Sequence, residues 1–199
     1  MKVAIIKYNA GNIYSVDYAL KRIGIEPIIT ADKEIIQKAD RVIFPGQGEA
    51  ATTMQYLREN KLDILIKELK QPVLGICIGM QLMCKHSEEN STDCLGIFDN
   101  TKVLKFQPQK HEDKVPHMGW NQIDDLKSSL FQKKMENQFV YFVHSYYVPL
   151  NQYTVATTDY IQPFSSALQK DNFYATQFHP EKSGKIGENI LRNFLTLNY

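Results

Sequence analysis

From Val3 to Ile76 the sequence alternates short apolar runs with helix-period stripes, and that alternation most constrains how such a chain can fold. Val3 to Ile6 reads as a buried strand. Ile13, Val16, Leu20 and Ile23 recur at three- and four-residue intervals, which puts them on one side of a helix that Gly24 ends. Pro27 to Thr30 is a second strand, followed by a short helix near Glu34 to Ala39. Val42 to Phe44, a helical region from Ala50 to Leu69, and Val73 to Ile76 complete three β–α alternations. Parallel strands need crossovers of this kind, so the expected class is α/β: three layers, with a mostly parallel, doubly wound sheet between helices. Ligands of such sheets bind outside the carboxyl ends of the strands.

From Thr101 the pattern turns β-rich, with Val103 to Phe106, Phe139 to Val143, Tyr153 to Thr157, Ser165 to Gln169 and Phe173 to Phe178. Their short spacing predicts antiparallel strands or hairpins added to the main sheet. Ile186, Ile190, Leu191, Phe194 and Leu195 fall on one face of a final helix that covers the sheet. The polar run Gln107 to Lys114 reads as a loop. With 199 residues the chain is expected to form a single domain over 1–199.

The last of the early strands runs into Gly75-Ile76-Cys77-Ile78-Gly79-Met80-Gln81, a cysteine between two glycines where strand gives way to helix. This is the form of a nucleophile elbow. The glycines remove side chains that would crowd the turn, and the new helix turns free N–H groups and its positive end toward the sulfur, favouring thiolate. A buried strand-end cysteine beside packing glycines is the bland alternative.

Two further segments supply partners for Cys77. Phe173 to Phe178 leads into His179-Pro180-Glu181, a base and a carboxylate two apart. Side chains two apart on extended chain share a face, so His179 and Glu181 are placed to hydrogen-bond. Cys77 then attacks a carbonyl carbon, His179 takes and returns the proton, and Glu181 holds the imidazole in its working tautomer. Such a unit is expected to lose activity in acid, as His179 protonates or the thiolate is lost. The loop Phe44-Pro45-Gly46-Gln47-Gly48-Glu49 follows the strand Arg41 to Phe44, and a backbone N–H near Gln47 pairs with that of Ile78 as a candidate oxyanion hole.

These three segments, in this order, resemble the class I glutamine amidotransferases, whose pattern is P-G-x-G, then G-x-C-x-G-x-Q, then a C-terminal H-P-E. The resemblance spans the chain. Pro116-His117-Met118-Gly119-Trp120-Asn121, Phe142-Val143-His144-Ser145-Tyr146-Tyr147 and the opening Ala10-Gly11-Asn12 are similar to one branch, the glutaminase subunits of imidazole glycerol phosphate synthase. The resemblance implies hydrolysis of L-glutamine through a Cys77 thioester, with ammonia passed to a (β/α)₈-barrel cyclase subunit in a heterodimer. It also implies that Gly48, Gln81, Ser145 and Tyr146 bind glutamine, and that Asn12, Trp120 and Lys182 meet the partner. Gln47 departs from the branch, which usually carries a small apolar residue there. Two other readings stay open: a glutaminase of the same fold serving a different synthase or related amidation pathway, and a non-catalytic interaction subunit. The H-M-G-W-N segment argues against the first and the complete triad against the second. Trp120, within a loop-like Met118-Gly119-Trp120-Asn121 segment, could simply cap the core, and Lys182 could be a solvated charge.

A formal charge of +1 argues against a nucleic-acid or membrane-surface binder. No stretch of about 18 apolar residues exists to span a bilayer. The N-terminal apolar run breaks too early for a signal peptide, so the expected location is cytoplasmic. Cys77, Cys84 and Cys94 show no C-x-x-C spacing, and His86, His111, His117 and His144 lack ligand spacing, so no metal or other cofactor is expected.

Overall fold

The computed structural model describes residues 1–8, 13–46 and 48–197. In chain order it forms β1 (Val3–Ile6), α1 (Ile13–Arg22), β2 (Ile28–Thr30), α2 (Lys33–Gln37), β3 (Arg41–Phe44), α3 (Ala50–Glu59), α4 (Leu62–Glu68), β4 (Val73–Ile76) and α5 (Ile78–Met83). Then follow β5 (Cys84–Ser87), β6 (Thr92–Asp93), β7 (Phe98–Lys105), β8 (His117–Ile123), β9 (Gln138–His144), β10 (Tyr146–Tyr147), β11 (Thr154–Tyr160), β12 (Gln162–Lys170), β13 (Phe173–Thr176) and α6 (Gly184–Leu195).

Seven strands make the main sheet in the order β11-β12-β13-β4-β3-β1-β2. The five from β13 to β2 are parallel to one another, and β11 and β12 extend the sheet antiparallel. Strand alternation assigns the two faces. Val3, Ile5, Leu74 and Ile76 meet α1 and α6 on one side, and Ala4, Ile6, Val42 and Val73 meet α2, α3 and α4 on the other. This is the three-layer arrangement that the periodicity predicts.

Four local expectations need correction. The helical region over 50–69 is two helices, broken at Asn60 and Lys61, where Lys61 takes a φ of +54°. Two of the five expected later strands, those over 103–106 and 139–143, do not join the main sheet. β7, which contains 103–105, pairs with β5 and β10 in a four-stranded sheet completed by β6, and β8 and β9 form a separate two-stranded ribbon. The Met118-Gly119-Trp120-Asn121 segment is therefore strand rather than loop, with Trp120 opposite Tyr141. Finally, β13 ends at Thr176 and is parallel to β4, with Thr176 opposite Ile76. That register brings the ends of the two strands, and the residues that leave them, side by side.

Candidate active site

Cys77 leaves β4 with φ +52° and ψ −109°, in a region that a residue with a β-carbon adopts only under constraint. Strain of this kind is worth about 1–3 kcal/mol and persists where the surroundings impose it. Here they do: the Cys77 N–H donates to Thr176 O at 2.7 Å, continuing the β4–β13 ladder by one bond, and α5 begins at the next residue. Ile78 thus sits at the first helical position, where a backbone N–H has no partner within the helix. The loop after β3 closes directly onto this turn. A β-carbon on Gly46 would lie 1.9 Å from Ile76 O and 2.6 Å from Ile78 N, and one on Gly79 would lie 2.3 Å from Phe44 O. Only glycine permits these approaches. Gln47, the other half of the expected oxyanion hole, lies outside the described residues.

His179 and Glu181 do hydrogen-bond, Nδ1 to Oε1 at 2.7 Å, but not across extended chain. Pro180 opens a single 3₁₀ turn over Pro180–Lys182, and the tight turn folds the carboxylate back under the ring. Both side chains are almost fully buried, and neither His179 Nε2 nor Glu181 Oε2 meets a partner in regular hydrogen-bond geometry among the described residues. Ser183 fixes the turn: its hydroxyl donates to His179 O at 2.7 Å and accepts from the Tyr141 N–H at 2.9 Å. Burial alone pushes His179 toward the neutral form. Interaction with Cys77, its negative charge first and hydrogen bonding second, and then the hydrogen bond and charge of Glu181 outweigh it and raise the pKa to about 10. Beside a charged Cys77 the ring is therefore held as the imidazolium at neutral pH.

Cys77 and His179 face one pocket of about 420 Å³, open to solvent. Of the residues expected to bind substrate, Gly48, Gln81, Ser145 and Tyr146 all line it, as does Ile78. Trp120 and Lys182 do not. Trp120 is 55% exposed on β8, which excludes the core-cap reading, and Lys182 is half-buried with no ion pair among the described residues. Asn12 lies outside the described residues.

Sequence reasoning passed over three residues. Glu89, from a short turn after β5, puts a carboxylate at the pocket and accepts from the Ala50 N–H at 2.8 Å; burial, partly offset by that bond, raises its pKa. Only its position in the fold brings it there. His144 lines the pocket from the end of β9. Gln177 is fully buried and donates from Nε2 to the Cys77 sulfur at 3.6 Å. Only the pairing of β13 with β4 reveals it, since Gln177 follows β13 as Cys77 follows β4. Among the described residues, no group of three or more His, Cys, Asp or Glu side chains could hold a metal ion.

A strained cysteine elbow against a glycine loop, with a buried His–Glu pair from the adjacent strand end, occurs here in a chain whose residues 4–197 match the family "Glutamine amidotransferase class-I". This chain belongs to that family. Within the class-I amidotransferases, it is 68% identical over 99% of its length to all of the imidazole glycerol phosphate synthase subunit HisH of Bacteroides fragilis strain YCH46. Identity is 70%, with the same coverage, to the subunit of that name from Bacteroides thetaiotaomicron, and 44% to that of Escherichia coli K12, again over 99% of this chain and the whole relative. Among solved structures, a glutamine amidotransferase from Thermotoga maritima superposes with a TM-score of 0.64 at 15% identity, over 98% of this chain and 82% of that one. At that identity the likeness shows the fold.

Proposed function

We propose that this chain is the glutaminase subunit of an imidazole glycerol phosphate synthase in L-histidine biosynthesis, hydrolysing L-glutamine at Cys77 and passing ammonia to a (β/α)₈-barrel cyclase partner. The observation that carries the reading is the convergence of the Cys77 elbow and the His179–Glu181 pair on one pocket, in a chain 68% identical along its whole length to a HisH subunit.

The chemistry follows from the charges. The Cys77 thiolate attacks the side-chain amide carbon of glutamine, and the resulting oxyanion is met by the Ile78 N–H, with a second donor expected from the Gln47 peptide. A single such donor is worth roughly 100- to 1,000-fold in rate. His179, already an imidazolium, gives its Nε2 proton to the departing nitrogen as the C–N bond breaks, which releases ammonia and leaves a thioester. The neutral imidazole then takes a proton from water as the oxygen attacks the thioester carbon. Glutamate leaves and the thiolate–imidazolium pair is restored. Glu181 keeps Nδ1 protonated throughout, so Nε2 does the proton transfer. Glu89 offers a carboxylate to the substrate's α-ammonium.

Ammonia is mostly protonated at neutral pH, and ammonium has no lone pair to attack with, so useful transfer needs a closed route to the synthase. The exposed Met118 and Trp120 on β8 provide apolar surface on a ribbon whose other strand, β9, leads to the pocket, as an interface here would need. A cytoplasmic location fits this role, and no helix among the described residues is long and apolar enough to cross a membrane. Cys77→Ala should retain the fold and lose glutamine hydrolysis, and a glutamine-like diazo-ketone should label Cys77; undiminished hydrolysis by the variant would refute the assignment.

A further inference from the structure

We propose that Gln177 is a positioning residue for Cys77, its side-chain amide held with the N–H toward the sulfur by a directional hydrogen-bond chain. This rests on the reading of Cys77 as nucleophile. The direction follows from donor and acceptor chemistry. Gln81 Nε2 lies 3.1 Å from Tyr146 O and 2.9 Å from the Gln177 side chain. A carbonyl only accepts, so the Gln81 atom at this junction is its NH₂ group, and it can meet only the oxygen of Gln177. The Gln177 NH₂ is left facing Cys77 Sγ at 3.6 Å.

The same carbonyl fixes a second branch. His144 Nδ1 lies 2.7 Å from Tyr146 O and must donate, which makes its buried Nε2 an acceptor. His117 Nδ1, 3.1 Å away, therefore donates, and His117 Nε2 accepts from Asn121 Nδ2 at 3.4 Å. Asn121 stands on β8 beside the exposed Trp120. Tyr146 O is thereby held from both sides, and through Gln81 it sets the amide of Gln177.

An N–H aimed at sulfur favours thiolate and fixes the side-chain rotamer from which it attacks. It is opposed by Val143 O, 3.9 Å from Sγ, a contact only the thiol can use. The other ionisable groups sharing the pocket with the sulfur are His179, with Glu181 behind it, His144, Glu89 and Tyr146.

The test is the pH dependence of Cys77 alkylation by iodoacetamide, followed by mass spectrometry, together with kcat and KM for glutamine in the complex with the cyclase. Gln177→Glu keeps the shape and turns an acceptor toward the sulfur. The alkylation midpoint should rise by about one pH unit and kcat fall roughly 10- to 100-fold with little change in KM. Gln81→Glu leaves Gln177 in place but inverts its preferred orientation, so it should raise the midpoint in the same direction. A merely structural role would lower the melting temperature of both variants without moving the midpoint, and that result overturns the inference. Cys77→Ala separates the two readings: if it still hydrolyses glutamine, the nucleophile assignment fails, whereas an unmoved midpoint at a confirmed Cys77 defeats only the role of Gln177.

Discussion

Burial alone would make His179 a neutral imidazole, yet the anions around it hold its pKa near 10, and this one shift fixes several expectations. Because the folded value is raised from 6.5 to about 10, the stability it contributes is complete below pH 6.5 and is lost as pH rises through about 10. The melting-temperature advantage of the parent over His179→Gln should therefore shrink between neutral pH and pH 10. Imidazole proton resonances should show His179 charged through neutral pH, and its midpoint should fall in Cys77→Ala, where the first of its stabilising charges is gone; an unchanged midpoint would remove the ion pair from the account. Glu181→Gln should be milder than His179→Ala, since the amide oxygen still accepts from Nδ1 while the charge is lost. The cysteines should also separate sharply. Burial raises Cys84 and Cys94 to about 12 each, so iodoacetamide near neutral pH should modify Cys77 and leave both others intact, as peptide mass mapping would report.

At the scale of elements, the parallel half of the sheet was legible because buried parallel strands are continuous apolar runs and the helices between them carry a 3.6-residue period. The elbow was legible for a related reason: Gly75, Cys77 and Gly79 stand at the boundary between those two patterns. What periodicity cannot say is which strand a strand joins. Period-two alternation identified Phe139 to Val143 as strand but not as the partner of His117–Ile123, and Phe98 to Lys102 is too polar to read as strand at all. Cys84–Ser87 was hidden because the apolar run from Met80 continues past the short α5. Extended spacing likewise brought His179 and Glu181 together for the wrong geometric reason, a 3₁₀ turn being the actual device. Two element-level outcomes follow. Gly46→Ala should destabilise by about 1–3 kcal/mol and cost most of the hydrolytic activity, because its β-carbon collides with the Ile76 and Ile78 backbone that shapes the elbow. Lys61→Gly, relieving the left-handed residue between α3 and α4, should raise stability by up to ~1 kcal/mol in urea unfolding without touching catalysis.

At the scale of the whole molecule, the active-site pocket opens where β4, β13 and the glycine loop after β3 end, and the β8–β9 ribbon reaches it through His144 at the end of β9. Both ribbon strands carry exposed large apolar residues, Met118 and Trp120 on one and Phe139 on the other, beyond what a face bound only for water needs. A (β/α)₈ partner seated there would both seal the ammonia route and press on the strand that carries Asn121 and His117. Trp120→Ala should accordingly weaken association or activation while leaving the melting temperature of the isolated chain nearly unchanged. The most direct test of the central claim is glutamate release by the purified chain, alone and mixed one-to-one with the cyclase subunit, with and without the cyclase's ribonucleotide substrate. The chain alone should hydrolyse glutamine slowly; mixed with the cyclase it should form a stable complex by ultracentrifugation and be activated further when the ribonucleotide is bound, with hydrolysis lost and the complex kept in Cys77→Ala. Full turnover by the isolated chain with no association, or hydrolysis that survives loss of the Cys77 sulfur, would contradict that claim.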